Sequence, residues 1–288
     1  MRVEPIPIRK MKKILTAIVA LLAIMFSCTG NKSGGAVDVP ADSDSIVDTA
    51  KVDTMEMLIA ETPMPKSADE LFDDFFFNFA ASRQLQLKRT RWPLALVNFG
   101  KSDTISRRKW KTEHFFMHQG YYTLILDNER QLTAVKDTTI DHVTVEKIYL
   151  SKNYVKKFIF NRERGMWMLD SIVNKSLSQS HNASFLKFYQ RFAVDSVYQQ
   201  SSISEVVKFV GPDPDDDFAM MEGVLTPETW PAFAPELPKS MIYNIVYGHS
   251  GVEGNRKILV FRGISNGFEM EITFQRTGKR WMLTKLSE

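Results

Sequence analysis

One stretch of this chain occurs twice, and an internal repeat restricts the fold more than any composition does. The later copy runs from Phe268 through Phe274 and Arg276, then a Thr-Gly-Lys-Arg turn, to Trp281, Met282 and Leu283. The earlier copy has Phe160 and Arg162, a Glu-Arg-Gly-Met turn, then Trp167, Met168 and Leu169, each 114 residues upstream of its match. The chain therefore reads as a tandem duplication, with repeats over residues 67–177 and 178–288.

Each repeat opens with the same aromatic stripe. Phe72, Phe75, Phe76 and Phe79 stand at i, i+3, i+4 and i+7, the spacing of one helix face. Phe185, Phe188, Tyr189 and Phe192 repeat the stripe 113 residues on. Ser67 and Glu70 fit a capping box for the first helix. Short strands follow: 92–99, 121–127, 144–150 and 154–162 in the first repeat, and 205–210 and 243–247 in the second. Pro93 cannot donate to a ladder, which predicts an edge position for its strand. Residues 106–119 are polar and basic, consistent with a helix. In the closing strand Phe268, Met270, Ile272 and Phe274 alternate with polar residues, giving one buried face. Lys156 takes the place of Met270 in the first repeat, a lysine expected to snorkel out of a more open core.

The copies differ in their loops. Trp110 aligns with Trp230 at an offset of 120, so some seven residues enter the second copy before that tryptophan. The acidic run from Gly211 to Asp217 is the place for them, and the polar stretch 128–141 is what the second copy lacks. Specificity usually resides in such loops.

The N-terminus carries its own signals. Lys12 and Lys13 precede the apolar run 14–26, which is too short to span a bilayer but suits the core of a signal peptide. The run ends at Ser27-Cys28, like a bacterial lipobox. Residues 1–28 therefore read as a lipoprotein signal peptide, with Met11 a better start than Met1. The Cys28 thiol would be the lipidation site and the membrane anchor. Residues 29–66, rich in Ser, Gly, Asp, Thr and Pro, read as a disordered tether. With no acidic cluster directly after Cys28, the expected location is the cell envelope, at the outer membrane facing the periplasm.

A nearly balanced net charge of +3 is no electrostatic footprint for nucleic acid, which needs a concentrated basic face. A single cysteine excludes an intramolecular disulfide. No nucleophile elbow, phosphate loop, dinucleotide fingerprint or Cys-x-x-Cys pair occurs, and no cofactor is implied. Trp110, Trp230, Phe233 and Tyr243 are the candidates for lining a ligand site, the middle two within a proline-rich segment suited to folding over a sheet. His114 and His118 are spaced to share a helix face, but no third metal ligand accompanies them. Asp213, Asp215 and Asp217 alternate as oxygen ligands for Ca²⁺ could, yet lack the glycine and glutamate of an EF-hand. The neighbouring prolines favour a stiff turn whose Asp side chains cap nearby N–H groups.

Three runs carry a family resemblance: Gly211 to Phe218, Trp230 to Pro238, and Ile242 to Gly248. They resemble a bacterial family of lipoproteins of unknown function in the nuclear-transport-factor-2-like superfamily. The resemblance implies an α+β fold: two cone-shaped units, each an N-terminal helix packed on a curved antiparallel sheet. It supplies no catalytic residues, and the superfamily holds enzymes and binding proteins alike. The function expected is a membrane-tethered, non-catalytic binding or structural module, its partner a small molecule or an envelope protein. The alternatives are an isomerase- or dehydratase-type enzyme in a cone cavity, and calcium-dependent binding at 213–217.

Overall fold

The computed structural model describes residues 69–288 except 117–119, 214, 250, 252, 265 and 266, and except the side chains of 217 and 218. Cys28, the tether, Ser67 and His118 lie outside the described residues. The described residues belong to one compact unit.

Both aromatic stripes are helices: α1 (Phe72–Ala81) and α3 (Ala183–Phe192). Each is followed by a six-residue helix, α2 (Arg83–Lys88) and α4 (Ser196–Ser201). Ser82 and Asp195 cap these short helices by accepting the N–H groups of Leu85 and Tyr198. The expected Ser67–Glu70 capping box does not start α1, which begins at Phe72 with Leu71 at the cap position and no side-chain cap. Nearby Asp69 instead pairs with the buried Arg89.

Among the described residues, twelve strands make one sheet. They are β1 (Thr90–Asn98), β2 (Lys101–Ile105), β3 (Tyr121–Leu126), β4 (His142–Tyr149), β5 (Tyr154–Glu163) and β6 (Met166–Ser176). Then follow β7 (Ile203–Asp213), β8 (Asp216–Leu225), β9 (Met241–Tyr247), β10 (Arg256–Gly263), β11 (Glu269–Thr277) and β12 (Arg280–Ser287). A single helical turn, α5 (Trp230–Phe233), precedes β9.

The order across the sheet is β2-β1-β6-β5-β4-β9-β3-β10-β11-β12-β7-β8. Adding or subtracting six from every label and reading from the other edge gives the same order. The expectation of two sheets, each built from its own repeat, is corrected by this order. β3 leaves the strands around it in sequence to pair with β10, and β9 likewise pairs with β4. The sheet is also mixed rather than antiparallel, because β1/β6, β7/β12 and β3/β9 run parallel.

Strand alternation then explains how one sheet serves two cores. In β3, Tyr122, Leu124 and Leu126 join the core around α1, while Ile125 joins the core around α3. β10 divides Ile258 and Val260 from Leu259 and Phe261 in the same way. The two helices therefore cover opposite faces, and the central strands are buried on both. That is why runs such as Lys-Ile-Leu-Val-Phe in β10 are almost continuously apolar.

Other local expectations change for identifiable reasons. β1 is flanked by both β2 and β6, so Pro93 is not on an edge strand. It fits because the β1/β6 register shifts between Thr90 and Ala95. Residues 106–116 contain one 3₁₀ turn, at Arg107–Lys109, and no α-helix. Trp110, Phe115 and Phe116 are all buried, and that spacing does not share a helix face. Phe268 is exposed just outside β11, whose buried face begins at Met270. The acidic run is a hairpin tip rather than a loop. Gly211 pairs with Met221 where Asn98 pairs with Lys101, so the seven added residues lengthen the β7–β8 hairpin.

Candidate functional site

The two cores share a frame. Trp110 Nε1 donates to Gln86 Oε1 at 3.2 Å in the first, and Trp230 Nε1 to Gln199 Oε1 at 3.1 Å in the second. The ladders on either side differ in polarity. Lys147 stands across from Lys156 on β4/β5, where Phe261 stands across from Met270 on β10/β11.

Two lysines directly opposed in a sheet repel unless an anion joins them. Glu113 is that anion. One carboxylate oxygen accepts from Lys147 Nζ, and the other accepts from Lys156 Nζ at 2.6 Å. Lys147 Nζ also donates to the His114 carbonyl at 2.7 Å and lies 4.9 Å from the Phe115 ring centroid and 5.4 Å from that of Tyr243. Lys156 is held by this pairing and lies over Phe158, rather than extending into solvent as expected. Fully buried Gln86 positions Glu113, accepting its N–H at 3.0 Å and donating to its carbonyl at 2.8 Å.

Burial pushes the Glu113 carboxyl up, but the charges of Lys156 and Lys147 outweigh it and leave it below the usual range. Burial pulls the Lys147 ammonium down, and Glu113 offsets only part of that. Beyond this cluster Tyr149 and Tyr154 stack at 4.4 Å, with Phe99 against Tyr154 at 6.1 Å. Burial, then the neighbouring Tyr154, raises the Tyr149 phenol.

A second ionisable group lies at the start of α1. The Asp73 carboxylate accepts from the hydroxyls of Tyr247 and Tyr122, the latter at 3.2 Å. Burial raises its pKa, and the tyrosine hydrogen bonds only partly reverse that. At the start of α3 the polarity is inverted. Lys257, with no exposed side-chain surface, donates to Asp127 at 2.6 Å and to Asn182 at 2.5 Å. Burial pushes Asp127 up, but hydrogen bonds from His181, Lys257 and the Gly254 N–H leave it well below the usual carboxylate range. Chemically, Asp73 could move a proton. The Glu113 and Lys257 clusters are closed ion pairs that fix segments in place.

Two cavities lie beside α3. One, of about 480 Å³, separates the helix from the connection after β6. The other, of about 210 Å³, adjoins Ala234 and Leu237. Neither is lined by the candidates Trp110, Trp230, Phe233 or Tyr243. Trp110, Trp230 and Tyr243 are buried in the cores, and Phe233 is exposed against Phe209. Asp213 Oδ1 accepts the Asp215 N–H at 2.9 Å, the turn-capping role that the sequence suggests. Asp213 pairs with Asp216 across the tip, and the Asp217 side chain is outside the described residues. Among the described residues no group of three or more His, Cys, Asp or Glu could hold a metal, and no helix is long and apolar enough to cross a membrane.

No motif in the sequence marks Glu113, Lys147, Asp73 or Lys257. A usable signal was present. Offset by 114, Lys147 meets Phe261 and Lys257 meets Val143, so a charge in one copy stands at a core position of the other. No such signal marks Glu113, which lies in an irregular segment.

The chain belongs to the family described as "Domain of unknown function (DUF4348)", which matches residues 51–288. Among solved structures, a crystal structure of an NTF2-like protein from Bacteroides fragilis NCTC 9343 is 40% identical. That match has a TM-score of 0.71 and covers 78% of this chain and 98% of the other. No curated protein matches the chain. Helices on a large curved sheet, in an NTF2-like fold, are thus common to both structures.

Proposed function

We propose that this chain is a lipid-tethered envelope protein serving as a non-catalytic binding or structural module. In this reading it is an internal duplication of one NTF2-like unit, divided near residue 177, in which the third strand of each unit is exchanged with the other. The observation that carries the non-catalytic reading is how the cores are filled. Phe75, Phe76 and Phe79 on one face, and Phe185, Tyr189 and Phe192 on the other, have no exposed surface. Space that a substrate would need within each core holds aromatic rings instead. The tether reading rests on Lys12, Lys13, the apolar run and Cys28. Its test is metabolic labelling with a palmitate analogue in a bacterial host. The chain should be labelled and sediment with membranes, and Cys28→Ala should abolish both; an unlabelled wild type would refute the anchor.

The enzyme alternative has one observation in its favour, the raised Asp73 carboxyl between two tyrosine hydroxyls. Screening the protein against small carbonyl and hydroxy-acid substrates separates the readings. Turnover that Asp73→Asn abolishes would overturn the non-catalytic reading, and no turnover is expected.

A further inference from the structure

We infer that the 480 Å³ cavity beside α3 is a binding site for a short acidic saccharide. Its volume lies within the roughly 300–1,000 Å³ typical of small-molecule sites. Asn153, Ser176, Ser178, Ser184, Lys187 and Gln190 line it beside Leu177 and Ala183, and most of the exposed wall is apolar, which suits the C–H faces of a sugar ring. Hydroxyl and amide groups both donate and accept, as sugar hydroxyls do. No carboxylate, histidine or cysteine is among the described residues that line it.

The internal hydrogen bonds decide which groups are left for a ligand. Ser184 Oγ accepts from Arg276 at 2.9 Å and from Trp281 at 3.0 Å, so its own proton is available to donate. Gln190 Nε2 is committed to the Leu150 carbonyl at 2.6 Å and to Asn153 Oδ1 at 2.7 Å. That leaves Gln190 Oε1 to accept and Asn153 Nδ2 to donate. The Ser176 and Ser178 hydroxyls bond each other at 2.8 Å, with one proton left over. Exposed Lys187 has no polar partner among the described residues. Donors thus outnumber acceptors, and the one charge is positive. The matching ligand is a polyol that also carries a carboxylate.

This inference rests on reading the chain as a binding module, and one experiment separates the two. Purified chain is titrated by NMR with digalacturonate, and with lactose as the neutral counterpart. Saturable shifts are expected for digalacturonate, with lactose at least tenfold weaker. Lys187→Ala, an exposed position, should remove that preference. Asn153→Gly, which tolerates the φ of 56° at that residue, should weaken both ligands several-fold. No saturable binding, equal affinity for the two sugars, or no effect of either variant would overturn the saccharide site. Conversion of bound digalacturonate, visible in the same spectra, would instead overturn the non-catalytic reading and leave the site standing.

Discussion

The two halves of the sheet keep the same frame and differ in the polarity of what it holds. Bulges at Ile159/Phe160 and Thr273/Phe274 fall at the same place in the two closing hairpins. The Gln–Trp pair is repeated, as are the helix aromatics. Yet the first half has the Glu113–Lys147–Lys156 cluster where the second has Phe261 and Met270. At the helix starts Asp73 meets tyrosines, whereas in the second half Asp127 meets Lys257. Backbone geometry in this fold is set by apolar packing and hydrogen-bonded frames. Charged positions differ between the halves, and each has a local partner.

The largest expected effect tests the shared frame. Phe160 and Phe274 are fully buried against their respective helices. Phe160→Ala and Phe274→Ala should each destabilise the protein by about 3–5 kcal/mol in chemical denaturation. A loss under about 1 kcal/mol in one of them would show that its half is loosely packed.

Next is the seam between the halves, where β3 and β9 share only the bridge Thr123↔Asn244. Side chains complete it. Asn244 Oδ1 accepts the Ile125 N–H at 2.9 Å, its Nδ2 donates to buried Glu146 at 2.8 Å, and Thr123 Oγ1 donates to the Tyr243 carbonyl at 2.7 Å. Asn244→Ala leaves a buried N–H and a buried carboxylate oxygen short of a partner. A loss of about 2–4 kcal/mol is expected in the same assay. A neutral result would mean that the halves do not depend on this seam.

A smaller effect should come from the asymmetric cluster. Glu113→Ala leaves Lys147 buried beside Lys156 without its counter-charge, at a cost of about 2–3 kcal/mol. Glu113→Leu combined with Lys147→Leu, closer to the second half, should recover most of that loss. The sign of the pH dependence follows from the lowered Glu113 pKa. Its contribution is present above the unfolded carboxyl pKa and lost as pH falls through the lower folded value. Glu113→Ala should therefore differ from wild type most at neutral pH and least in strong acid. Urea midpoints measured across pH check this, and a constant difference would remove the ion-pair explanation.

The smallest effect concerns the extended hairpin. With Asp213 capping the tip by accepting the Asp215 N–H, millimolar Ca²⁺ should leave the melting temperature unchanged. A rise of several degrees, lost in Asp213→Ala, would restore the calcium reading.

Much of the fold was legible because it is periodic. The helix aromatics, the closing hairpins and the seven-residue insertion all follow from spacing alone. Strand exchange was not legible, because the alternation of β3 and β9 states that they are buried but not beside which strand. Residues 106–116 depart from a helix for a related reason. Their polarity suited a surface helix, while Trp110 and Phe115 were being drawn into the core. Of the candidate site, Lys156 stood out by comparison with Met270, and Lys147 was open to the same comparison with Phe261. Glu113, lying in a non-repeating segment, had no such contrast to reveal it.

Pairing of β3 with β10 and of β9 with β4 should bind both cores into one cooperative unit. Differential scanning calorimetry of wild type, Phe160→Ala and Phe274→Ala tests it most directly. One transition is expected in all three proteins, displaced to lower temperature by about the same amount in both variants. Two resolved transitions, with each variant moving only its own, would contradict the claim.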